Sequence, residues 1–128
     1  GNMVRDFTYI DDIVEGVVRV LKKPATASPD FDPSKPSPAT SLSPYRVFNI
    51  GNNNPVNLLD YICALENAIG IKAIKEFLPM QPGDVPNTNS NTEKLEDWVD
   101  FVPKTSVKEG ISNFVNWYRN YYGNDLIL

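Results

Sequence analysis

Two residues carry most of the chemistry that this sequence can offer, Arg5 and Asp84. Arg5 is the only cation in the stretch Val4-Arg5-Asp6-Phe7-Thr8-Tyr9-Ile10-Asp11-Asp12. A guanidinium presents a rigid fork of donors that matches phosphate oxygens, and a strand end gives that fork a fixed origin. The competing reading is a surface ion pair with Asp6 or Asp11. Asp84 lies in Met80-Gln81-Pro82-Gly83-Asp84-Val85-Pro86, where Pro82-Gly83 makes a tight turn that exposes backbone N–H groups. Its carboxylate can accept hydrogen bonds from paired hydroxyls such as those of a ribose. Here the competing reading is an ordinary capped turn. With no histidine and a single cysteine, Cys63, a zinc site or a histidine-based triad is excluded.

The elements that must position these groups follow from composition and periodicity. A chain of 128 residues suits one domain, 1–128, large enough for a core. A net charge of −4 without a basic stripe argues against nucleic acid as a partner, so any phosphate site must be local. Cys63 falls inside a predicted helix as a structural thiol and cannot form an intramolecular disulfide, so nothing calls for an oxidising compartment and a cytoplasmic protein is expected. No run approaches 18 apolar residues, and the first twenty residues lack signal-peptide anatomy, so no membrane span or secretion is expected.

Val4, Phe7, Thr8, Tyr9 and Ile10 suit an extended strand that ends near Ile10, with Asp11 or Asp12 as the N-cap of a helix. Ile10, Ile13, Val14, Val17, Val18 and Leu21 recur at helical spacing, Lys22 and Lys23 favour the C-terminus, and Pro24 stops the helix. Residues 24–44 form a Pro-rich loop, an ordered surface excursion. Tyr45 to Ile50 reads as a buried strand and Lys72 to Leu78 as a second, more exposed one. Between them lies a helix capped by Asn57 and stopped by Gly70, with Leu58, Leu59, Ile62, Leu65 and Ile69 on its apolar face. That order predicts a parallel βαβ unit. Asn91 or Thr92 opens a short helix with Leu95 and Trp98 inward. Ser106 and Glu109 form a capping box for a last helix whose stripe is Val107, Ile111, Phe114, Val115, Tyr118 and Tyr122. Trp117 and Tyr121 lie off that stripe. Gly123-Asn124-Asp125 should fray before a hydrophobic tail, Leu126-Ile127-Leu128.

Five features in one order carry a resemblance: Arg5-Asp6-Phe7 with Tyr9 and Asp11-Asp12, Asn49-Ile50-Gly51 before a helix, Met80 to Val85, Thr92-Glu93-Lys94-Leu95, and Pro103-Lys104-Thr105-Ser106 with Glu109-Gly110. Together they resemble the extended short-chain dehydrogenase/reductases, most closely the UDP-glucuronate 4-epimerases, over essentially the whole chain. The resemblance implies an α/β fold of about four helices with a minor, partly parallel sheet, the smaller C-terminal substrate-binding portion of an enzyme whose Rossmann domain is absent here. It also implies that Arg5 contacts the substrate diphosphate and Asp84 the nucleotide ribose. Gln81 stands where related epimerases carry a second phosphate arginine, and a neutral amide there fits a sugar that brings its own carboxylate. Asn87, Asn89 and Asn91 depart from the family's usual run, which includes a tyrosine.

In that family hydride leaves sugar C4 for NAD while a tyrosine takes the hydroxyl proton. This chain has no Gly-x-x-Gly-x-x-Gly turn to seat NAD, and no tyrosine is followed by lysine four residues on. The resemblance therefore implies a nucleotide-sugar-binding lobe, inactive alone, without catalytic, cofactor or metal residues of its own. NAD would be bound by the N-terminal Rossmann domain of the intact enzyme, expected to be a homodimer acting on a UDP-sugar. Two alternatives stay open: the lobe of a nucleotide-sugar dehydratase or decarboxylase, and a non-catalytic interaction module.

Overall fold

In the structure, a computed structural model that describes residues 1–123, the elements run β1 (Val4–Arg5), α1 (Ile10–Lys22), β2 (Val56–Asn57), α2 (Leu58–Ile69), α3 (Glu93–Val99) and α4 (Val107–Tyr122). The four expected helices and the minor sheet are present, but the strands differ from those read in the sequence. β1 is two residues long and pairs antiparallel with β2, Val4 opposite Asn57 and Arg5 opposite Val56. The parallel component is a single bridge from Val4 to Asn87.

The expected strand through Ile10 is shorter because the chain turns helical at Ile10, with Tyr9 as an extended N-cap whose side chain makes no capping bond. Asp11 and Asp12 sit inside the first turn instead of before it, where a negative charge still suits the helix dipole. Asp12 accepts hydrogen bonds from the backbone N–H of Lys104 (3.1 Å) and Thr105 (2.8 Å), so it ties the start of α1 to the approach of α4. At the other end of α1 two cations meet carbonyls in and just after α3. Arg19 donates to Asp100 O (2.8 Å) and stacks over Phe101, while Lys23 donates to Trp98 O and lies over the Trp98 ring. Gly16 lies close under Ile50: an added Cβ would come within 2.4 Å of Ile50 Cδ1, and the end of that side chain would have to shift.

The predicted βαβ unit does not form. Tyr45 to Ile50 contributes only an isolated antiparallel bridge from Arg46 to Thr40, because no second strand runs beside it among the described residues. Lys72 to Leu78 is exposed throughout and joins no ladder. What holds that segment is Glu66 of α2, whose side chain is buried and accepts from Lys72 Nζ (2.9 Å), from Lys75 Nζ and from the N–H of Ala73 (3.0 Å). Ionic tethering to a helix, rather than strand pairing, fixes the path.

α2 begins after Asn57, whose side chain donates to Asp60 Oδ2 (3.3 Å) instead of capping the helix as expected, and it ends at Gly70 in the left-handed conformation (φ 87°), the stop its sequence predicts. It packs on α4, and α1 packs on α3. Leu95, Ile111 and Val115 form the fully buried apolar core. Ser106 caps α4 by accepting from Glu109 N–H at 3.2 Å, and Arg119 donates to Ile69 O (2.7 Å), closing the end of α2. Phe114, read as a core position, is half exposed, and so is much of the α1 stripe. Cys63, read as a structural thiol, is exposed as well. The 24–44 excursion is ordered by turns and by Ser28 N–H donating to Ser41 O (2.8 Å). The expected fray and tail from Asn124 to Leu128 lie outside the described residues. Among the described residues no helix is long and apolar enough to cross a membrane.

Two measurements check this packing. Leu95→Ala or Ile111→Ala should cost about 2–5 kcal/mol in chemical denaturation, because each removes a side chain from a filled core. Phe114→Ala should cost clearly less, and Pro36→Ala should be nearly silent. The second concerns acid. The ammonium groups of Lys75 and Lys72, followed by the Ala73 N–H, hold the Glu66 carboxyl down to about 2 from its ordinary 4.5. A depressed carboxylate pKa stabilises the fold above the unfolded value, and that contribution disappears as pH falls from about 4.5 towards about 2. The melting temperature should drop across that window, and Glu66→Gln should flatten the drop while lowering stability at neutral pH.

Candidate functional site

The site is built outward from the backbone of β1. Val4 donates its N–H to Pro86 O (2.9 Å) and accepts at its carbonyl from Thr88 N–H (3.1 Å), which lays residues 86–88 along one edge of β1 while β2 occupies the other. Arg5 leaves this narrow sheet with its guanidinium over the 84–86 segment. Its Nη1 donates to Val4 O and Pro86 O, both at 3.0 Å, and its Nη2 donates to Asp84 Oδ1 at 2.9 Å and lies 3.6 Å from Met3 Sδ.

Asp84 is delivered by the turn that its sequence predicts. Asp84 N–H donates to Gln81 O at 3.1 Å across Pro82 and Gly83, with Gly83 at φ 89°. Proline second and a positive-φ glycine third are the requirements of a type II turn. The structure thus brings Arg5 and Asp84 into direct contact from positions 79 apart in the chain. Gln81 joins them on the same turn through its carbonyl, with its side chain exposed.

Of the carboxylates considered for an ion pair with Arg5, neither Asp6 nor Asp11 takes that role. Asp6 turns the other way and accepts from the N–H groups of Asn53 (3.1 Å) and Asn54 (3.3 Å), beside Gly51, where a Cβ would meet Ser90 and Asp6 itself. The Arg5–Asp84 pair has side chains 21% and 40% exposed. At that exposure an ion pair contributes only about 0–1 kcal/mol, so a ligand bearing more negative charge can compete for the guanidinium. Met3, Pro86 and Thr88, which hold Arg5 and its strand in place, carry no signal in the sequence because they act through a thioether, a carbonyl and a backbone N–H.

The cluster can bind and orient a ligand. The two strand-to-helix connections do not form a cradle for a dinucleotide pyrophosphate. The β1-to-α1 connection is Asp6-Phe7-Thr8-Tyr9 and β2 runs directly into α2, so neither offers a glycine cradle at a helix start. Among the described residues no group of three or more histidine, cysteine, aspartate or glutamate side chains is arranged to hold a metal ion. A cavity of about 230 Å³ lies elsewhere, between α1, α2 and α4, where Phe7 stacks on Tyr61 at 4.0 Å. Its walls are mainly apolar and include none of Arg5, Gln81 or Asp84.

No known family model matches the chain. Curated proteins do. It is 48% identical over 122 residues to Protein CapI of Staphylococcus aureus, which covers 95% of this chain and 36% of that protein. It is 43% identical over 123 residues to a probable UDP-glucuronate 4-epimerase of Rhizobium meliloti, with the same two shares, 95% and 36%. The chain therefore spans about a third of the length of the curated relatives it matches. Among solved structures it is similar to the Bacillus cereus UDP-glucuronic acid 4-epimerase in complex with UDP-glucuronic acid and NAD, with a TM-score of 0.71, 27% identity, and coverage of 95% of this chain and 34% of that one.

The geometry of the turn can be tested without any ligand. Gly83→Ala places a Cβ where no atom lies within 4 Å, so its whole cost is the left-handed backbone, about 1–2 kcal/mol. The expected outcome is that modest loss in denaturation, together with chemical-shift changes at Asp84 and Arg5 in NMR spectra and none in α4.

Proposed function

The chain is homologous to the C-terminal portion of NAD-dependent nucleotide-sugar epimerases and dehydratases of the extended short-chain dehydrogenase/reductase superfamily, and from that premise we propose that it is the UDP-sugar-binding lobe of a UDP-glucuronate 4-epimerase. One observation carries the reading: Arg5 and Asp84, distant in sequence, converge on one rim beside the exposed 81–84 turn. A UDP-sugar offers that rim a diphosphate for the guanidinium and a pair of ribose hydroxyls for the carboxylate. The two ligand groups thereby replace the partner each side chain now has in the other, and neither charge is left alone. Gln81, on the same turn, adds an amide and no charge, which suits a substrate already carrying a sugar carboxylate.

In this reading NAD and the proton-transferring residues belong to the portion that the relatives possess outside the matched third. NAD supplies the hydride acceptor when bound there. The role of this chain is to hold the nucleotide end still while the sugar is presented to that portion. Alone, it should neither turn over UDP-glucuronate with added NAD nor bind NAD. Turnover by the purified 128-residue chain would overturn the assignment of roles.

The binding role is tested by titrating UDP into the chain and following backbone amides by NMR. Saturable shifts at residues 4–6 and 81–86 are expected. Arg5→Ala should weaken binding by about 1.5–3 kcal/mol, on the order of 10–150-fold, the value of a charge-assisted hydrogen-bonded contact. Arg5→Lys should recover only part of the loss, since an ammonium lacks the fork. Asp84→Ala should weaken UDP and uridine alike, whereas Arg5→Ala should weaken UDP far more than uridine. Absence of any saturable shift, or equal UDP affinity for wild type and Arg5→Ala, would sink the reading.

A further inference from the structure

We propose that the cavity between α3 and the chain returning from the Pro-rich loop binds a small hydroxy-carboxylate, with Arg46 as the anchor for its carboxylate. The cavity measures about 210 Å³, and its walls include Thr40, Arg46, Lys94, Asp97 and Trp98. It shares no residue with the rim formed by Arg5, Gln81 and Asp84. The loop is what builds it. Val47 N–H donates to Ala39 O (3.0 Å) and Thr40 forms an antiparallel bridge with Arg46, so residues 39–47 close on themselves. Residues opposite one another in such a bridge project to the same face, which brings Thr40 and Arg46 to one wall.

Arg46 is positioned by stacking and not by hydrogen bonds. Its guanidinium carbon lies 4.3 Å from the centre of the Trp98 ring. Trp98 is itself fixed by Lys23, whose carbonyl accepts from the indole N–H at 3.0 Å and whose ammonium lies 4.6 Å from the same ring. Stacking occupies one face of a guanidinium and leaves the five in-plane N–H donors in need of acceptors. The other three arginines find them: Arg5 on Asp84, Arg19 on Glu15 and Arg119 on the Ile69 carbonyl. Arg46 finds none among the described residues, although Asp97 lines the same cavity, and its Nε is sealed from solvent without a hydrogen-bond partner. Only Nε is sealed, so the two Nη groups stay open to a ligand. A carboxylate offers them two oxygens at matching spacing. Arg46 and Lys94 against Asp97 leave the walls with one positive charge, which suits a single carboxylate better than a phosphate dianion. Asp97 in turn needs a donor, and a hydroxyl on the ligand supplies it. Lys94 and Asp97 are both exposed, so the cavity opens to solvent on their side.

The test is titration of D-gluconate into the 128-residue chain, followed by NMR at the backbone amides and at the Arg46 Nε–H, with D-glucose and inorganic phosphate as comparison ligands. Gluconate should give saturable shifts at residues 39–48 and 94–98 and none at residues 4–6 and 81–86, which separates this cavity from the nucleotide rim. Glucose, which has the hydroxyls but no carboxylate, should give none, and phosphate should bind more weakly than gluconate. Arg46→Gln should weaken gluconate at least about tenfold, the loss of a charge-assisted contact, and Arg46→Lys should recover only part of it. Arg46 also stacks on Trp98, so its variants are paired with one at an exposed position that the fold does not use. Lys94→Ala should weaken gluconate about two- to fivefold and leave the melting temperature unchanged. If Arg46 had only its stacking role, Lys94→Ala would change nothing. Four results would overturn the proposal: no saturable shift with gluconate, shifts confined to the nucleotide rim, binding of glucose or phosphate as tight as that of gluconate, or gluconate affinity unchanged in Lys94→Ala.

Discussion

The peptide groups of Met3 and Val4 are the constraint on which the rest of the structure depends. Val4 is hydrogen-bonded to Pro86 and Thr88 on one edge, and Met3 O accepts from Leu58 N–H on the other, at 2.9 Å. These bonds gather the start of the chain, the entry to α2 and the loop after Gly83 into one place. Arg5 inherits its position from them, and so does Asp84, because the turn that carries it leads directly into the Pro86–Thr88 edge. A sheet of two residues per strand has little cohesion from its ladder alone, and β2 is anchored by running directly into α2, which packs on it.

Carboxylates do much of the remaining positioning, and they act on backbone N–H groups more than on cations. Asp6 holds Asn53 and Asn54, Asp12 holds Lys104 and Thr105, and Glu66 holds Ala73 along with two lysines. Each joins an element to a loop that lacks regular hydrogen bonding of its own. In a chain of net charge −4 these acids are structural groups, and Asp84 is set apart by facing a guanidinium at an exposed rim.

This division explains what was legible in the sequence. The helices were readable because their signals are local: Gly70 after Ile69, Pro24 after Lys23 and Ser106 ahead of Glu109 mark ends without reference to anything distant. The Pro82-Gly83 turn was readable for the same reason, and with the family resemblance it led to Arg5 and Asp84. Strands depend on partners. Tyr45 to Ile50 has the residues of a strand but, among the described residues, pairs only through the bridge from Arg46 to Thr40, while Lys72 to Leu78 alternates in sequence yet is held by Glu66 from one side. Periodicity likewise gave the apolar arc of α1 but not which part of it this chain covers, since that depends on what lies against it. Asp6 and Asp12 were seen as charges and caps; their actual partners lie more than forty residues away, where no local pattern reaches.

The reach of the Arg5 contacts sets an order of events during synthesis. Arg5 donates to a carbonyl 81 positions further along the chain. A ribosome adding about 5–20 residues per second needs on the order of 4–16 s to cover that gap. Through that interval α1 can form, since its signals are local, and β1 can join β2 once Asn57 is made, but the edge that takes Pro86 and Thr88 stays open. The segment that precedes α1 is therefore fixed late, after the helix that follows it can already have formed.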